Sequence, residues 1–302
     1  MNSYRVAEIW RYPVKSMQGE KLDTCMLTKG GIPLDRGWAV RDEQTQTIRG
    51  AKWIAGLMRC SARYIEDTHA GAVPHVEITL ADGSRVRSDD ASVHARLSEA
   101  LERKVTLWPL QPAENADHYR VKGLQTGSME EEMSMVFALS LVPGQPMPDL
   151  SKIPPKLMAE VMEFASPRGT YFDLYPVHVL SEASLRYMRT LAPQSEIDVR
   201  RFRPNFLIAD DASAVGPIET TWVEKDARVG QAELHLAMKA MRCVMTTRAQ
   251  VDLPQDSAIM KAMMRETEQC LGVYADVRAA GLVSVGDALT LSALPAATAA
   301  AN

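Results

Sequence analysis

The stretch HVEITLADGSRVRS, residues 75–88, constrains the fold more than any other part of the chain. Val76, Ile78 and Leu80 alternate with polar residues at the period of two that gives a strand one apolar face, and Asp82-Gly83 supplies a hairpin turn. VAEIW, WAVRD after the LTKGG turn, and KVTLWPL have the same character, so residues 3–110 read mainly as strand. One helix interrupts them, because Val93, Leu97 and Leu101 recur every four residues behind the capping residues Ser88, Asp89 and Asp90.

Residues 111–135, QPAENADHYRVKGLQTGSMEEEMSM, are polar and aperiodic and read as a loop or linker. The boundary is therefore expected near residue 120, giving domains over 1–120 and 121–295 and an Ala-rich tail over 296–302. In the second half Leu157, Val161 and Phe164 form a helical stripe after Pro154-Pro155, and SEASLRYMRTL reads as a helix capped by Ser181. A further helix places Ile259, Met260, Met263 and Met264 on one core-facing side, while FRPNFLIAD, AELHLAM and DALTLSA read as strands. The fold class is mixed but β-rich.

A length of 302 residues with 46% hydrophobic composition is enough for one large or two medium cores. The net charge of −4 gives no reason to expect nucleic acid or an anionic membrane as partner, so any anion site must be local. The opening residues MNSYRVAEIWRYPVKS have neither a basic leader nor an apolar core, and the chain has no long uncharged apolar run, so a cytoplasmic location is expected. Cys25, Cys60, Cys243 and Cys270 are far apart and fit reduced thiols rather than a disulfide framework or zinc site.

The six histidines, His69, His75, His94, His118, His178 and His235, lack metal-site spacing, and His178 and His235 sit in apolar strand contexts that suit structural roles. Neither a nucleophile elbow, a Walker loop nor a G-x-G-x-x-G motif occurs. What remains is a set of short clusters in turn-like places: PVKSM with Lys15 and Ser16, LDRGW with Arg36, SEAS, FRPN with Arg203 and Asn205, and MRC with Arg242. Together they would suit a phosphorylated small molecule, since guanidinium forks and helix-start N–H groups both favour phosphate. Cys243 alone reads as a small buried apolar residue, with Arg242 beside it a hint toward a stabilised thiolate.

In order along the chain, IWRYPVKSMQGEKL, LTKGGIPLDRGWAVRD, FDLYPVHVLSEASL, RRFRPNFLI, MRCVMTTR and CLGVYADVRAAGLVSVGDAL resemble the MOSC family, in the branch that carries an N-terminal β-barrel. The resemblance implies an N-terminal β-barrel domain packed on a MOSC domain with a β-barrel core and peripheral helices. Its amidoxime-reducing members imply an enzyme, a molybdenum–molybdopterin oxidoreductase that reduces N-hydroxylated small molecules, with Cys243 as the molybdenum ligand and catalytic centre. A soft anionic thiolate suits that metal. Carried over by position, Lys15, Ser16, Arg36, Ser181, Glu182, Ala183, Arg203, Asn205, Met241, Arg242 and Tyr274 become cofactor contacts. The family is also associated with pyridoxal phosphate binding.

The chain departs from the family pattern in two places. After Thr246-Thr247 the family usually continues with a Val-Asp-Pro-like turn, where this chain has Arg248, Ala249, Gln250, Val251 and Asp252, which bears on substrate range. Nor does the C-terminal part carry the cysteine cluster of a fused plant-type ferredoxin, so electrons are expected from a separate ferredoxin- or flavin-reductase-like protein. Two other readings stand beside the reductase: a sulfur-carrier or cofactor-handling protein with a Cys243 persulfide, and a binding module without turnover.

Overall fold

The computed structural model describes residues 4–65, 72–124 and 126–292. Within them the first half contributes strands β1 (Tyr4–Arg11), β2 (Glu20–Leu22), β3 (Thr24–Leu27), β4 (Trp38–Asp42), β5 (Thr47–Arg49), β6 (Ser61–Tyr64), β7 (Val76–Thr79), β8 (Arg85–Arg87) and β9 (Val105–Pro109). The second half adds β10 (Val177–Ser181), β11 (Phe206–Ala209), β12 (Lys225–Val229), β13 (Ala232–Met241), β14 (Cys270–Ala279), β15 (Gly281–Ser284) and β16 (Ala288–Leu291). His69 and the Ala-rich tail lie outside the described residues.

In the first half two three-stranded sheets, β5-β4-β9 and β6-β7-β8, enclose one apolar core that includes Val40, Leu57, Ile78, Leu97 and Leu107. The expected hairpin is present: β7 and β8 pair across Asp82-Gly83, and Gly83 takes the positive φ of 84° that glycine tolerates at a turn. The helix spans Val93–Ala100 and starts at Ser92, two residues past Asp90, the last of the expected caps, whose Oδ1 accepts from Ser92 N at 2.7 Å.

Seven strands of the second sheet close into a barrel in the order β1, β11, β10, β14, β13, β12, β16, with β2 appended to β1. All neighbours are antiparallel except β10 and β11, which are parallel and joined through the helix Glu182–Leu191. Val6, Val179, Ile208, Leu234, Ala275 and Leu289 are among the side chains that fill its interior. The helices Glu182–Leu191 and Ala258–Glu266 pack on the outside through Leu185, Met188, Ile259, Met260 and Met263, so the methionine stripe is core as expected.

Residues 111–135 are not a plain linker, because they contain the helices Ala116–Tyr119 and Met129–Val136. The second begins at a reciprocal cap: Ser128 Oγ accepts from Glu131 N at 3.2 Å, and Glu131 Oε2 accepts from Gly127 N at 2.8 Å. That pattern is legible as S-x-x-E. The helix Pro155–Glu163 forms where expected, but none of its residues is buried; Phe164, just past its end, is.

The first strand of the chain is thus a stave of a barrel otherwise built from residues after 176, and β3 pairs with β15 as well. A fragment of residues 121–302 would expose the edges of β11 and β16. It should show no cooperative thermal unfolding, and co-expression with residues 1–30 should restore a sharp transition.

Candidate functional site

Outside the barrel, where the first half packs on β10 and β14, the chain gathers cations. His178 and Tyr274 face each other across these strands with ring centroids 5.6 Å apart, and Tyr175 stacks on Tyr274 at 5.8 Å. Gly272, at φ 87°, leaves room for the His178 ring, because a Cβ there would collide with it. Burial and Arg242 hold His178 well below the usual histidine range, so it is neutral and serves packing.

Tyr12, immediately after β1, is the platform for two arginines: Arg203 lies 4.1 Å and Arg36 4.8 Å from its ring centroid. Its hydroxyl donates to Pro204 O at 2.9 Å, and burial pushes its pKa up to about 12. Asp35 accepts from Tyr12 N at 2.8 Å, from Asn205 Nδ2 at 2.9 Å and from the Arg36 fork. Asn205 also receives the His178 N–H at 3.0 Å, so it clasps β10 to Asp35 and its side chain is committed within the protein. Burial and the nearby Arg203 push the pKa of Arg36 down to about 10, the mark of cations crowded together.

Lys15 Nζ donates to Tyr171 O at 2.6 Å and to Asp173 Oδ1 at 2.9 Å, and Lys52 Nζ lies 3.4 Å from Asp173 Oδ2. Burial works against the Asp173 carboxylate, but Lys15 and Lys52 outweigh it and hold the group well below the usual carboxylate range. Burial likewise opposes the charge on Lys52, which Asp173, Cys243 and Tyr274 together hold above its ordinary range. Ser16, next to Lys15, accepts the Ala51 N–H at 2.9 Å and is buried.

Cys243 lies two residues past the end of β13, half-buried at the edge of the first half's core, and caps the single 3₁₀ turn Val244–Thr247. Met241 ends β13 opposite Cys270. Arg242 Nη2 donates to Phe202 O at 2.6 Å, while its Nε is buried and has no partner among the described residues. Arg248 Nη2 reaches Lys52 O at 3.4 Å, and its Nε is likewise buried and unpartnered. The segment that departs from the family pattern therefore lies against the first half, and Gln250 extends that contact by accepting from Gln18 Nε2.

Lys15, Arg36, Arg203, Arg242, Cys243 and Tyr274 thus come together, with Ser16 and Asn205 holding the backbone around them. Ser181, Glu182 and Ala183 are committed elsewhere. Ser181 caps its helix as expected, yet its side chain shares the inward face of β10 with Val177 and Val179 and donates to the buried Glu219. Ala183 N donates to Asp210 Oδ2 at 2.7 Å, and Glu182 lies 3.9 Å from Arg186. Sequence reasoning missed Tyr12, Asp35, Lys52 and Asp173. For Lys52 in RGAKW and Asp173 in YFDLYP, a charge set beside aromatic residues was the available signal.

Five cations (Lys15, Arg36, Lys52, Arg203, Arg242) face two carboxylates, Asp35 and Asp173, with a thiol beside them. Three of the residues here, Ser16, Arg36 and Arg203, hold left-handed backbone at φ 69°, 56° and 55°. Such conformations cost roughly 1–2 kcal/mol each and persist where the surroundings enforce them. Among the described residues no group of three or more His, Cys, Asp or Glu side chains could hold a metal, so a metal at Cys243 would have to bring most of its own ligands.

The packing yields two expectations. Gly272→Ala, by displacing His178, should lower stability by more than about 2 kcal/mol in chemical denaturation. His118, whose Nε2 lies 2.6 Å from the Tyr171 hydroxyl, has its pKa pushed down to about 4 by burial and then by Arg41. An unfolded histidine takes its proton near pH 6.5, so between that pH and about 4 the unfolded state binds more protons and stability falls as pH drops. His118→Gln should remove about 1–3 kcal/mol of that loss.

Residues 3–114 match the MOSC N-terminal beta barrel domain and residues 167–290 match the MOSC domain. Mitochondrial amidoxime reducing component 2 of Bos taurus is 22% identical over 93% of this chain and 81% of its own length. Mitochondrial amidoxime-reducing component 1 of Homo sapiens is 26% identical over 80% of this chain and 65% of its own, so the chain spans just under two thirds of that relative. Among solved structures, the YUAD protein of Bacillus subtilis aligns over 96% of both chains at 11% identity with a TM-score of 0.44. The chain belongs to the MOSC-domain family, among the members that join a MOSC N-terminal beta barrel domain to a MOSC domain.

Proposed function

We propose that the chain is a molybdenum-cofactor oxidoreductase that reduces N-hydroxylated compounds, with Cys243 as the protein ligand of the metal. The observation that carries this reading is the half-buried thiol placed beside an excess of cations, where Arg242 of the cluster and Arg248, held on Lys52 O, each keep a buried Nε–H with no partner among the described residues. An unpaired buried donor costs about 1–3 kcal/mol unless a ligand satisfies it. Cation excess, open donors and a soft sulfur are what a phosphate-bearing dithiolene cofactor requires. The names of the two mitochondrial relatives supply the reaction class.

The cofactor, when bound, supplies the two-electron chemistry that cleaves the N–O bond. The chain's own residues bind and orient it. Arg36 and Arg203, stacked on Tyr12, and Lys15 present cations to its phosphate. Arg242 and Arg248 offer their free Nε–H groups, and Tyr274 with Tyr175 forms an apolar wall near Cys243. Electrons come from a separate ferredoxin- or flavin-reductase-like protein.

Protein purified from a host that makes the cofactor should contain molybdenum and pterin near one equivalent, and Cys243→Ala should lose at least tenfold of the molybdenum. The loaded protein should then reduce hydroxylamine or an amidoxime with an artificial donor. Wild type that carries neither metal nor pterin would sink this reading, and a persulfide mass on Cys243 would favour the sulfur carrier instead.

A further inference from the structure

Asp35 and Asp173 are the two acids of the cation cluster, and they are held differently. Asp35 is buried against three donors, and its partners Tyr12 N, Asn205 and Arg36 fix it in place. The Asp173 side chain keeps 39% of its exposure, while the Lys15 side chain beside it keeps only 10%. Its two carboxylate oxygens are divided between ammonium groups from separate turns of the first half, Lys15 at 2.9 Å and Lys52 at 3.4 Å. Lys15 has a second anchor in Tyr171 O at 2.6 Å, so its position does not depend on Asp173 alone.

An anion that approaches either lysine meets the Asp173 carboxylate as well. Like charges at such range repel strongly in a partly dehydrated site, and the lysines cannot give full hydrogen bonds to both. Resting on the reading of this cluster as an anion site, we propose that Asp173 is a positioning residue that competes with the phosphate of the ligand for Lys15 and Lys52. It thereby keeps the site's affinity for phosphate-bearing ligands low enough for exchange. Neutralising it leaves Lys15 anchored on Tyr171 O and returns a full positive charge to the ligand.

Inorganic phosphate titrated into the full-length protein at low ionic strength, followed by calorimetry and thermal shift, tests this. Asp173→Asn should bind phosphate at least tenfold more tightly than wild type, and Lys15→Met at least tenfold more weakly. Asp173→Ser, which removes the charge with a smaller side chain, should repeat the gain if Asp173→Asn folds poorly. A carboxylate with only a structural role predicts the opposite sign, since freed lysines would relax and bind less. Equal or weaker binding by the neutral variants, with Lys15→Met still impaired, overturns the competition but keeps the anion site. Phosphate binding that Lys15→Met leaves unchanged overturns both.

Discussion

The site depends on one pairing: β1, from the start of the chain, lies between β11 and β16 and closes the barrel. A strand in that position has its backbone groups tied down on both sides, so the chain leaves the barrel at a fixed point. Tyr12 stands at that exit, and the turn with Lys15 and Ser16 comes directly after it. The same pairing brings Trp10 N to Asn205 O at 2.8 Å, which sets Pro204 and Arg203 against the Tyr12 ring. The strand that closes the barrel therefore also positions the cation cluster.

Around that point the protein tolerates a local charge imbalance that its overall composition conceals. A net charge of −4 over the whole chain coexists with five cations and two carboxylates in one cluster. Three devices hold the cluster together: an aromatic face shared by two guanidiniums, a buried carboxylate with three donors, and a carboxylate split between two lysines. None of them removes the excess of positive charge.

Local pattern made much of this legible in the sequence. Alternation at Val76, Ile78 and Leu80 and the turn at Asp82-Gly83 gave a real hairpin, and SEASL gave a real capped helix. Ordered motifs brought most of the cationic residues together. The membership of β1 in a distant barrel was not legible, because a half-buried strand carries no mark of its partner. At Ser181 the cap was legible, but the inward turn of its side chain, set by alternation along β10, and its Glu219 partner were not. Lys52 and Asp173 were invisible because their pairing spans 121 positions and isolated charges in turns are ordinarily solvated.

The left-handed backbone at Ser16, Arg36 and Arg203 has a consequence for how such a chain can drift under mutation. Glycine at any of these positions would relieve strain, yet it would also remove the Ser16 Oγ acceptor of Ala51 N, the Arg36–Asp35 pair or the Arg203 contact with the Tyr12 ring. Backbone relief and side-chain anchoring therefore pull these three positions in opposite directions. A library scored for abundance should separate them from ordinary core residues such as Val179 or Leu234, where no backbone relief offsets the lost packing.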